Sequence, residues 1–257
     1  MEIDLSFLSA FTAVFFLVFA RVGTMIMLVP VFGERAIPVR IRLIVALMLC
    51  YVLYPLVQPL YPLGELQQLP VLLRYLFLEL VLGFFVGLGM RLIAYALQTA
   101  GAIIANQSGL AFAMGGDMTN FGEQGAMVGS FLAMLGTTLV LATNLHYVII
   151  AGIHDSFTLF PPGRILPVGD MAHMAVDTVS HVFVIAAHIG APFILFGLVF
   201  YFGLGLLNKL MPQLQIFFVA MPVAILAGFT LLMLLLSTLM GWYLQQYEAV
   251  LSPFLAN

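Results

Sequence analysis

Charged side chains inside long apolar runs are the residues of this sequence best placed to do chemistry. Arg21, Glu79, Arg91 and Lys209 all lie in such runs. A charge is costly to expose to hydrocarbon, so each is expected to face protein or a watery cavity. In a transporter these groups would pair to bind ions or substrate, but the carboxylates here are few and scattered. The alternative is that the four charges, with Gln213, make buried polar contacts that orient helices against partners.

No pattern in the sequence is typical of catalysis or of a bound cofactor. The HExxH and CxxC motifs and a complete nucleotide-binding glycine pattern are all absent. His181 and His188 lie seven residues apart, whereas metal-binding histidine pairs on a helix usually lie three or four apart. His154 and Asp155 could relay a proton, although a satisfied pair at a helix end is more common. Cys50 is the single cysteine and has apolar neighbours, which is typical of a small core residue. We therefore predict no catalytic residue, cofactor or metal site, and a protein that is not an enzyme.

The composition indicates a membrane protein. Of 257 residues, 63% are hydrophobic and 7% are charged, whereas about a quarter of the residues in a soluble domain are charged. There are too few polar side chains to cover a water-facing surface, so the outer surface must face lipid or other subunits. The net charge of −3 and the lack of a basic stripe argue against nucleic acid as a ligand. The predicted fold class is all-α and polytopic.

Six apolar stretches reach or approach the length of about 20 residues that a membrane crossing needs. They are residues 5–29, 43–57, 71–105, 126–153, 182–207 and 214–244. The second is short for a crossing, and a break in the long third stretch remains an open alternative. The acidic start of the first stretch favours a retained helix over a cleaved signal peptide.

Orientation can be predicted for the beginning of the chain only. Arg35, Arg40 and Arg42 form its single positive cluster. Because cytoplasmic loops are enriched in Lys and Arg, residues 34–42 are expected in the cytoplasm and the N-terminus outside.

Glycines recur at four-residue spacing in two places, at Gly83 and Gly87 and at Gly125 and Gly129. In lipid, such spacing lets helix backbones approach closely. The close contacts could lie within one bundle or against other subunits, and the sequence does not decide between these two arrangements.

The order and spacing of several short motifs resemble the FliR family over nearly the whole chain. The motifs are Arg21-x-Gly23, residues 30–42, Glu79-x-x-x-Gly83-x-x-x-Gly87, residues 107–117, Asp155-Ser156-Phe157, Ala191-Pro192, Gly203-Leu-Gly205-Leu-Leu and residues 211–217. The chain departs from the family pattern at Asn144-Leu145-His146, at Asn208-Lys209, at Gln215, and at Met118, where proline is common. These departures concern local contacts.

The resemblance implies a subunit of the flagellar type III export gate in the bacterial inner membrane, at the flagellar basal body. Members of the family assemble with FliP and FliQ around a channel, with FlhB and FlhA as further partners and unfolded flagellar proteins as cargo. The implied fold consists of tilted helical hairpins, with a FliP-like part at about 1–180 and a FliQ-like hairpin at about 181–257. One alternative is the equivalent subunit of a virulence system, called SctT, YscT or SpaR. A small-molecule or ion transporter is the more remote alternative.

Residues 106–120, with the sequence NQSGLAFAMGGDMTN, correspond by the same resemblance to a loop that plugs the closed channel. Irregular backbone at membrane depth is tolerated only where protein or a water-filled cavity surrounds it, and methionine fills irregular gaps. The expected pore-plugging residues are Leu110, Phe112 and Met114, and the expected anchors are Gln107, Gly109 and Asp117. Without the resemblance, an ordinary connecting loop packed on the bundle is the favoured interpretation.

Overall fold

The computed structural model describes residues 6–34, 37–64, 66, 68–110, 121–164, 167–211 and 216–255. Regular structure in these ranges is helical throughout, which confirms the predicted all-α class. The α-helices are α1 (Ser6–Leu28), α2 (Val39–Val57), α3 (Leu69–Gln107), α4 (Phe121–Ala142), α5 (His146–Leu159), α6 (Val168–Leu210) and α7 (Ile216–Leu251). Two short 3₁₀ helices, Gln58–Leu60 and Ser252–Phe254, follow α2 and α7.

The described helices give the chain the character of a polytopic membrane protein. Five contain stretches long and apolar enough to cross a membrane: Phe11–Leu28, Val39–Leu60 (with the adjoining 3₁₀ turn), Leu69–Gln107, Val168–Leu210 and Ala220–Leu251. The pair Met127–Ala142 and His146–Leu159 makes a sixth if it is counted as one span. The predicted class is therefore confirmed in both its helical and its apolar character.

Several helix limits differ from the prediction. Helix α2 begins at Val39 and has 19 residues, so it is longer than the apolar stretch 43–57 suggested. Helix α3 is one unbroken helix of 39 residues. Helix α6 begins at Val168 and has 43 residues. Hydropathy missed its first turns because they carry polar residues such as Asp170 and His173, which are compatible with a helix but not with an apolar run.

The apolar stretch 126–153 is not one continuous helix. Helix α4 ends at Ala142, α5 begins at His146, and the two are bent by 81°. Asn144 between them has φ of +63°. This left-handed conformation ends an α-helix, and asparagine adopts it more readily than most residues because its short side chain can bond locally. A hydropathy window does not detect such a turn.

The chain divides into two compact units. Unit 1 comprises Met1–Leu92, Val140–Thr178 and Glu248–Asn257, and unit 2 comprises Ile93–Leu139 and Val179–Tyr247. These units are defined by contacts within the chain, so they do not test the predicted division into a FliP-like part and a FliQ-like hairpin. That division stays a prediction.

In unit 1, two glycines allow the backbone of α3 to lie against α1. A Cβ atom at Gly83 would be 2.5 Å from the carbonyl oxygen of Arg21, and one at Gly87 would be 3.1 Å from the Cα of Met25. These distances leave no room for a side chain. Both glycines therefore make their close contacts within the chain.

In unit 2, Gly101 of α3 lies against Gly129 of α4. A Cβ atom on Gly101 would collide with the backbone of Gly129, and one on Gly129 would be 2.8 Å from the carbonyl oxygen of Gln98. The two helices thus cross with backbone against backbone, which small residues permit. The surroundings of Gly125 lie outside the described residues.

Candidate functional site

The interior of unit 1 contains an ion pair between two helices. Arg21 of α1 and Glu79 of α3 are both fully buried, and Arg21 Nε donates a hydrogen bond to Glu79 Oε2. Gly83, one turn beyond Glu79 on α3, brings that helix against the backbone of Arg21 and so sets the separation of the two side chains. Removing either partner would leave the other as an uncompensated buried charge.

Arg21 also binds the end of a third helix. Its Nη1 donates to the carbonyl oxygens of Ser156 and Phe160, at 2.9 and 3.0 Å. These oxygens lie at the C-terminal end of α5, where a positive charge is favourable. The Ser156 oxygen also accepts the backbone N–H of Phe160 at 3.0 Å. The guanidinium carbon lies 4.3 Å from the centre of the Phe157 ring, which adds a cation–π contact. A single side chain therefore joins α1, α3 and α5.

Tyr61, which follows the 3₁₀ turn after α2, belongs to the same region and was not predicted from the sequence. Its side chain is buried, and its hydroxyl interacts electrostatically with the Glu79 carboxylate. Burial raises the pKa of Tyr61, and the neighbouring Glu79 raises it further, so the phenol stays protonated. We call Arg21, Tyr61, Glu79, Phe157 and the two carbonyl groups the Arg21 cluster. Nothing in the local sequence distinguishes Tyr61 from other tyrosines, since only the fold brings it near Glu79.

Arg91 holds a different part of unit 1. Its Nη1 donates to the carbonyl oxygen of Leu28 at 3.1 Å and lies 3.5 Å from that of Gly33. The turn between these residues contains Val31 with φ of +78°, an unusual conformation for a β-branched side chain. Arg91 therefore stabilises the irregular chain that follows α1.

The other predicted charged and polar residues have different surroundings. Lys209 is exposed in the last turn of α6, so its predicted buried contact would have to come from another subunit. Arg40 is exposed, whereas Arg42 Nε donates to the carbonyl oxygen of Ile37 at 3.1 Å. Arg35 and Gln213 lie outside the described residues.

The C-terminal end of α3 lies in unit 2, where it packs on α6. Gly109 has φ of +70°, which glycine adopts without steric cost and which ends the helix. A Cβ atom at Gly109 would lie 3.6 Å from the Tyr201 hydroxyl, and Gly197 leaves room for the Gln107 side chain. Two of the three predicted anchors are thus packed against α6, and the third, Asp117, lies outside the described residues.

Leu110, the next residue along the chain, borders an apolar cavity of about 400 Å³ in unit 2. The other lining side chains are all apolar: Met127, Val128, Phe131, Phe229, Leu232, Met233 and Leu236. Phe112 and Met114 lie outside the described residues. The pore-plugging role of these three residues therefore stays a prediction.

The histidines do not converge on a metal site. His154 Nδ1 lies 2.7 Å from Asp155 Oδ1, which makes a local pair on α5. The ring of His188 packs edge-on against Trp242, with centroids 5.3 Å apart. Over the part of the chain that the structure describes, no group of three His, Cys, Asp or Glu side chains is placed to hold a metal ion.

The helices are long and apolar enough to cross a membrane, and buried polar contacts join them. These two features define the class as a polytopic membrane protein. The profile of the family described as bacterial export proteins, family 1, matches residues 12–250. The flagellar biosynthetic protein FliR of Caulobacter vibrioides is 42% identical, over 93% of this chain and 94% of that protein. FliR of Bacillus subtilis is 28% identical, over 88% of this chain and 86% of its own length. The chain belongs to the FliR family of bacterial export proteins.

The family places the chain in flagellar protein export, as a membrane component of the export apparatus. A relation to virulence systems is also present. The Yop proteins translocation protein T of Yersinia pestis is 27% identical over 56% of each chain.

Proposed function

We propose that this chain is a non-enzymatic subunit of the flagellar export gate. In this proposal it forms a closed channel with FliP and FliQ in the bacterial inner membrane and also contacts FlhB and FlhA. Unfolded flagellar proteins would cross through that channel. The observation that carries the proposal is the match to FliR of Caulobacter vibrioides over 94% of that protein.

The exposed surface of the chain supports an assembled state. Large apolar side chains such as Met134, Leu210 and Met233 are at least three-quarters exposed. Contiguous exposed apolar surface marks contact with lipid or with other subunits. Since α3, α6 and α7 have 39, 43 and 36 residues, each exceeds the length of about 20 residues that a simple crossing needs. Helices that extend beyond the bilayer need partner subunits to cover their apolar faces.

The contacts of the charges inside the apolar helices favour a gate subunit over a transporter. Arg21 and Glu79 bind each other, and Arg91 binds the turn after α1. A transporter would be expected to present such groups to a substrate or ion near the middle of the membrane. Here Arg21 and Glu79 hold helices together, and Arg91 holds the turn after α1.

The relatives favour the flagellar over the virulence system. The two FliR proteins above match this chain over most of its length, whereas the match to the Yop translocation protein T covers 56%. Full-length correspondence is what a subunit with the same set of partners requires.

The proposed FliQ-like hairpin at about 181–257 is supported by contacts within unit 2. His188 of α6 packs on Trp242 of α7, whereas Tyr201 of α6 and Ala224 of α7 both lie beside Gly109. Later residues of α6 therefore correspond to earlier residues of α7. The two helices run antiparallel in this unit, as those of a hairpin do.

Co-expression tests the proposed assembly. We expect the chain to aggregate when it is expressed alone and to be recovered as a single species when it is expressed with FliP and FliQ, because the partners cover its apolar surface. Size-exclusion chromatography in mild detergent measures both outcomes. Co-expression with an unrelated polytopic membrane protein is the control. Recovery of a monodisperse monomer of this chain alone would contradict the proposal and favour the transporter.

Deletion of residues 110–116 tests the plug. We expect the assembled complex to leak ions, because Leu110, Phe112 and Met114 would no longer occlude the channel. The measurement is ion flux across membranes that contain the complex. Co-purification of FliP and FliQ with the deletion variant is monitored to show that assembly is intact.

A single substitution provides the matched control for the deletion. Gly64→Ser alters the connection between α2 and α3, where a side chain would enter open space, and is expected to leave the ion barrier unchanged. If the deletion variant assembles normally and leaks no more than Gly64→Ser, residues 110–116 serve only to connect helices.

A further inference from the structure

The last residue of α3 and the two residues that follow it each lie against a small residue of α6 or α7. The three pairs are Gln107 with Gly197, Ser108 with Gly228, and Gly109 with Ala224. A Cβ atom at Gly228 would overlap the Ser108 side chain and lie 3.3 Å from its Cα. We call Gly197, Ala224 and Gly228 the hairpin socket. It admits the end of α3 because its own residues are small.

Hydrogen bonds within the chain also hold the end of α3. The Ser108 N–H donates to the carbonyl oxygen of Ile104 at 2.9 Å, and the Ser108 hydroxyl donates to the same oxygen at 2.8 Å. Gly109 then ends the helix with its φ of +70°. A helix end commonly frays, because its last carbonyl groups lack partners within the helix. Here the last turn is both capped and enclosed, so the chain leaves α3 from a fixed point.

The place of the hairpin socket in the chain gives it a role beyond packing. The residues that it holds directly precede Leu110, the first of the three residues proposed to occlude the channel. A segment of chain can occlude a channel only if its starting point is fixed, since any shift of that point moves the whole segment. Ser108 is 5% exposed and Ala224 is 2% exposed, so this starting point lies in the interior of unit 2.

We propose that the hairpin socket positions the segment that begins at Leu110, so that α6 and α7 determine whether the channel is closed. Gln107 and Ser108 are the positioning residues on the side of α3, and Gly197 and Gly228 are their counterparts. Displacing the end of α3 from the socket opens an ion path, although the occluding residues themselves are unchanged. This inference rests on the proposed plug and adds which helices hold it in place.

Substitution of Gly228 tests the socket. Gly228→Ala adds a methyl group that overlaps Ser108, whereas Gly241→Ala adds the same group to the same helix where it meets nothing within 4 Å. The measurement is ion flux across membranes that contain the assembled complex, with co-purification of FliP and FliQ monitored. We expect Gly228→Ala to leak at least about fivefold more than Gly241→Ala, because an overpacked contact favours the displaced state by that factor or more.

A compensating substitution distinguishes this contact from a general loss of stability. Combining Gly228→Ala with Ser108→Gly moves the side chain from one side of the contact to the other, so the two backbones can again approach closely. We expect the double variant to recover most of the ion barrier. A weakened α7 would not be repaired by a change at the end of α3, so a double variant that leaks as much as Gly228→Ala would contradict the proposal.

A second variant serves if Gly228→Ala does not assemble. Gln107→Ala removes a side chain from the socket and adds no atom, and Gln98→Ala is its control, because Gln98 lies on the same helix and is exposed. If the assembled socket variant leaks no more than its control while deletion of 110–116 leaks, the socket does not position the plug, and the plug itself stands. If the deletion causes no leak, the plug is wrong and the role of the socket falls with it.

Discussion

Replacing Arg21 by alanine is expected to lower the yield of assembled protein by at least about tenfold, because breaking a buried ion pair costs roughly 3–5 kcal/mol and about 1.4 kcal/mol corresponds to a factor of ten. The variant loses its bond to Glu79 and the two bonds that hold the end of α5. It also leaves the Glu79 carboxylate buried without a counter-charge. Quantitative immunoblotting of the purified complex, normalised to total expressed chain, measures the effect.

Two further variants isolate the cause of that loss. Arg40→Ala removes an exposed charge of the same kind and is expected to leave the yield unchanged. The double variant of Arg21→Met and Glu79→Leu removes both buried charges and is expected to restore part of the yield, because no unpaired charge remains. Restoration is only partial, since the bonds from Arg21 to the carbonyl oxygens of Ser156 and Phe160 are still missing. Equal yields from Arg21→Ala and Arg40→Ala would show that the cluster does not stabilise the fold.

The second large effect is expected at the crossing of α3 and α4. Gly101→Ala places a methyl group against the backbone of Gly129, and backbone cannot rotate away as a side chain can. Overpacking of this kind costs roughly 1–3 kcal/mol. We expect a lower thermal unfolding temperature of the detergent-solubilised complex and a lower yield.

Gly241→Ala is the matched control for this substitution. Gly241 lies inside α7, where an added Cβ meets nothing within 4 Å. Replacing an unhindered glycine within a helix by alanine favours the helix by about 1 kcal/mol. Both substitutions add one methyl group to a helical glycine, so any difference between them comes from their surroundings. We expect Gly101→Ala to lower the unfolding temperature and Gly241→Ala to raise it. If both raise it, the helices do not approach each other as closely as the structure places them.

Directional hydrogen bonds from two arginines, one buried and one half-buried, hold unit 1 together. Arg21 fixes three helices of unit 1 to one another through directional bonds, and Arg91 fixes the turn after α1. Polar contacts of this type constrain helix positions more strictly than apolar packing does, because hydrogen bonds depend on distance and angle. A subunit held in this way can offer partners a defined surface while its exposed residues remain apolar.

Much of the fold and part of the candidate site could be predicted from the sequence. The all-α membrane class follows from the scarcity of charge and the length of the apolar runs, which are properties of the chain that do not depend on how it folds. Arg21, Glu79 and Arg91 were identified because each charge stands in an apolar run. Helix limits were less predictable where the ends of an apolar run do not coincide with the ends of a helix. The first turns of α6 are helical but polar, and Asn144 interrupts an apolar stretch through its backbone conformation.

Only the tertiary structure decided which of these residues meet. Arg21 and Glu79 are separated by 58 positions, and Arg21 and Ser156 by 135. No local pattern encodes such pairs, because they arise from the way helices cross. The same holds for Gly101 and Gly129, whose small size predicts a close approach but not its partner. Tyr61 had no distinguishing sequence signal at all, since its importance comes from burial beside Glu79. The sequence thus determined which residues needed a polar or close-packed partner, and the packing of the helices determined which partner each of them has.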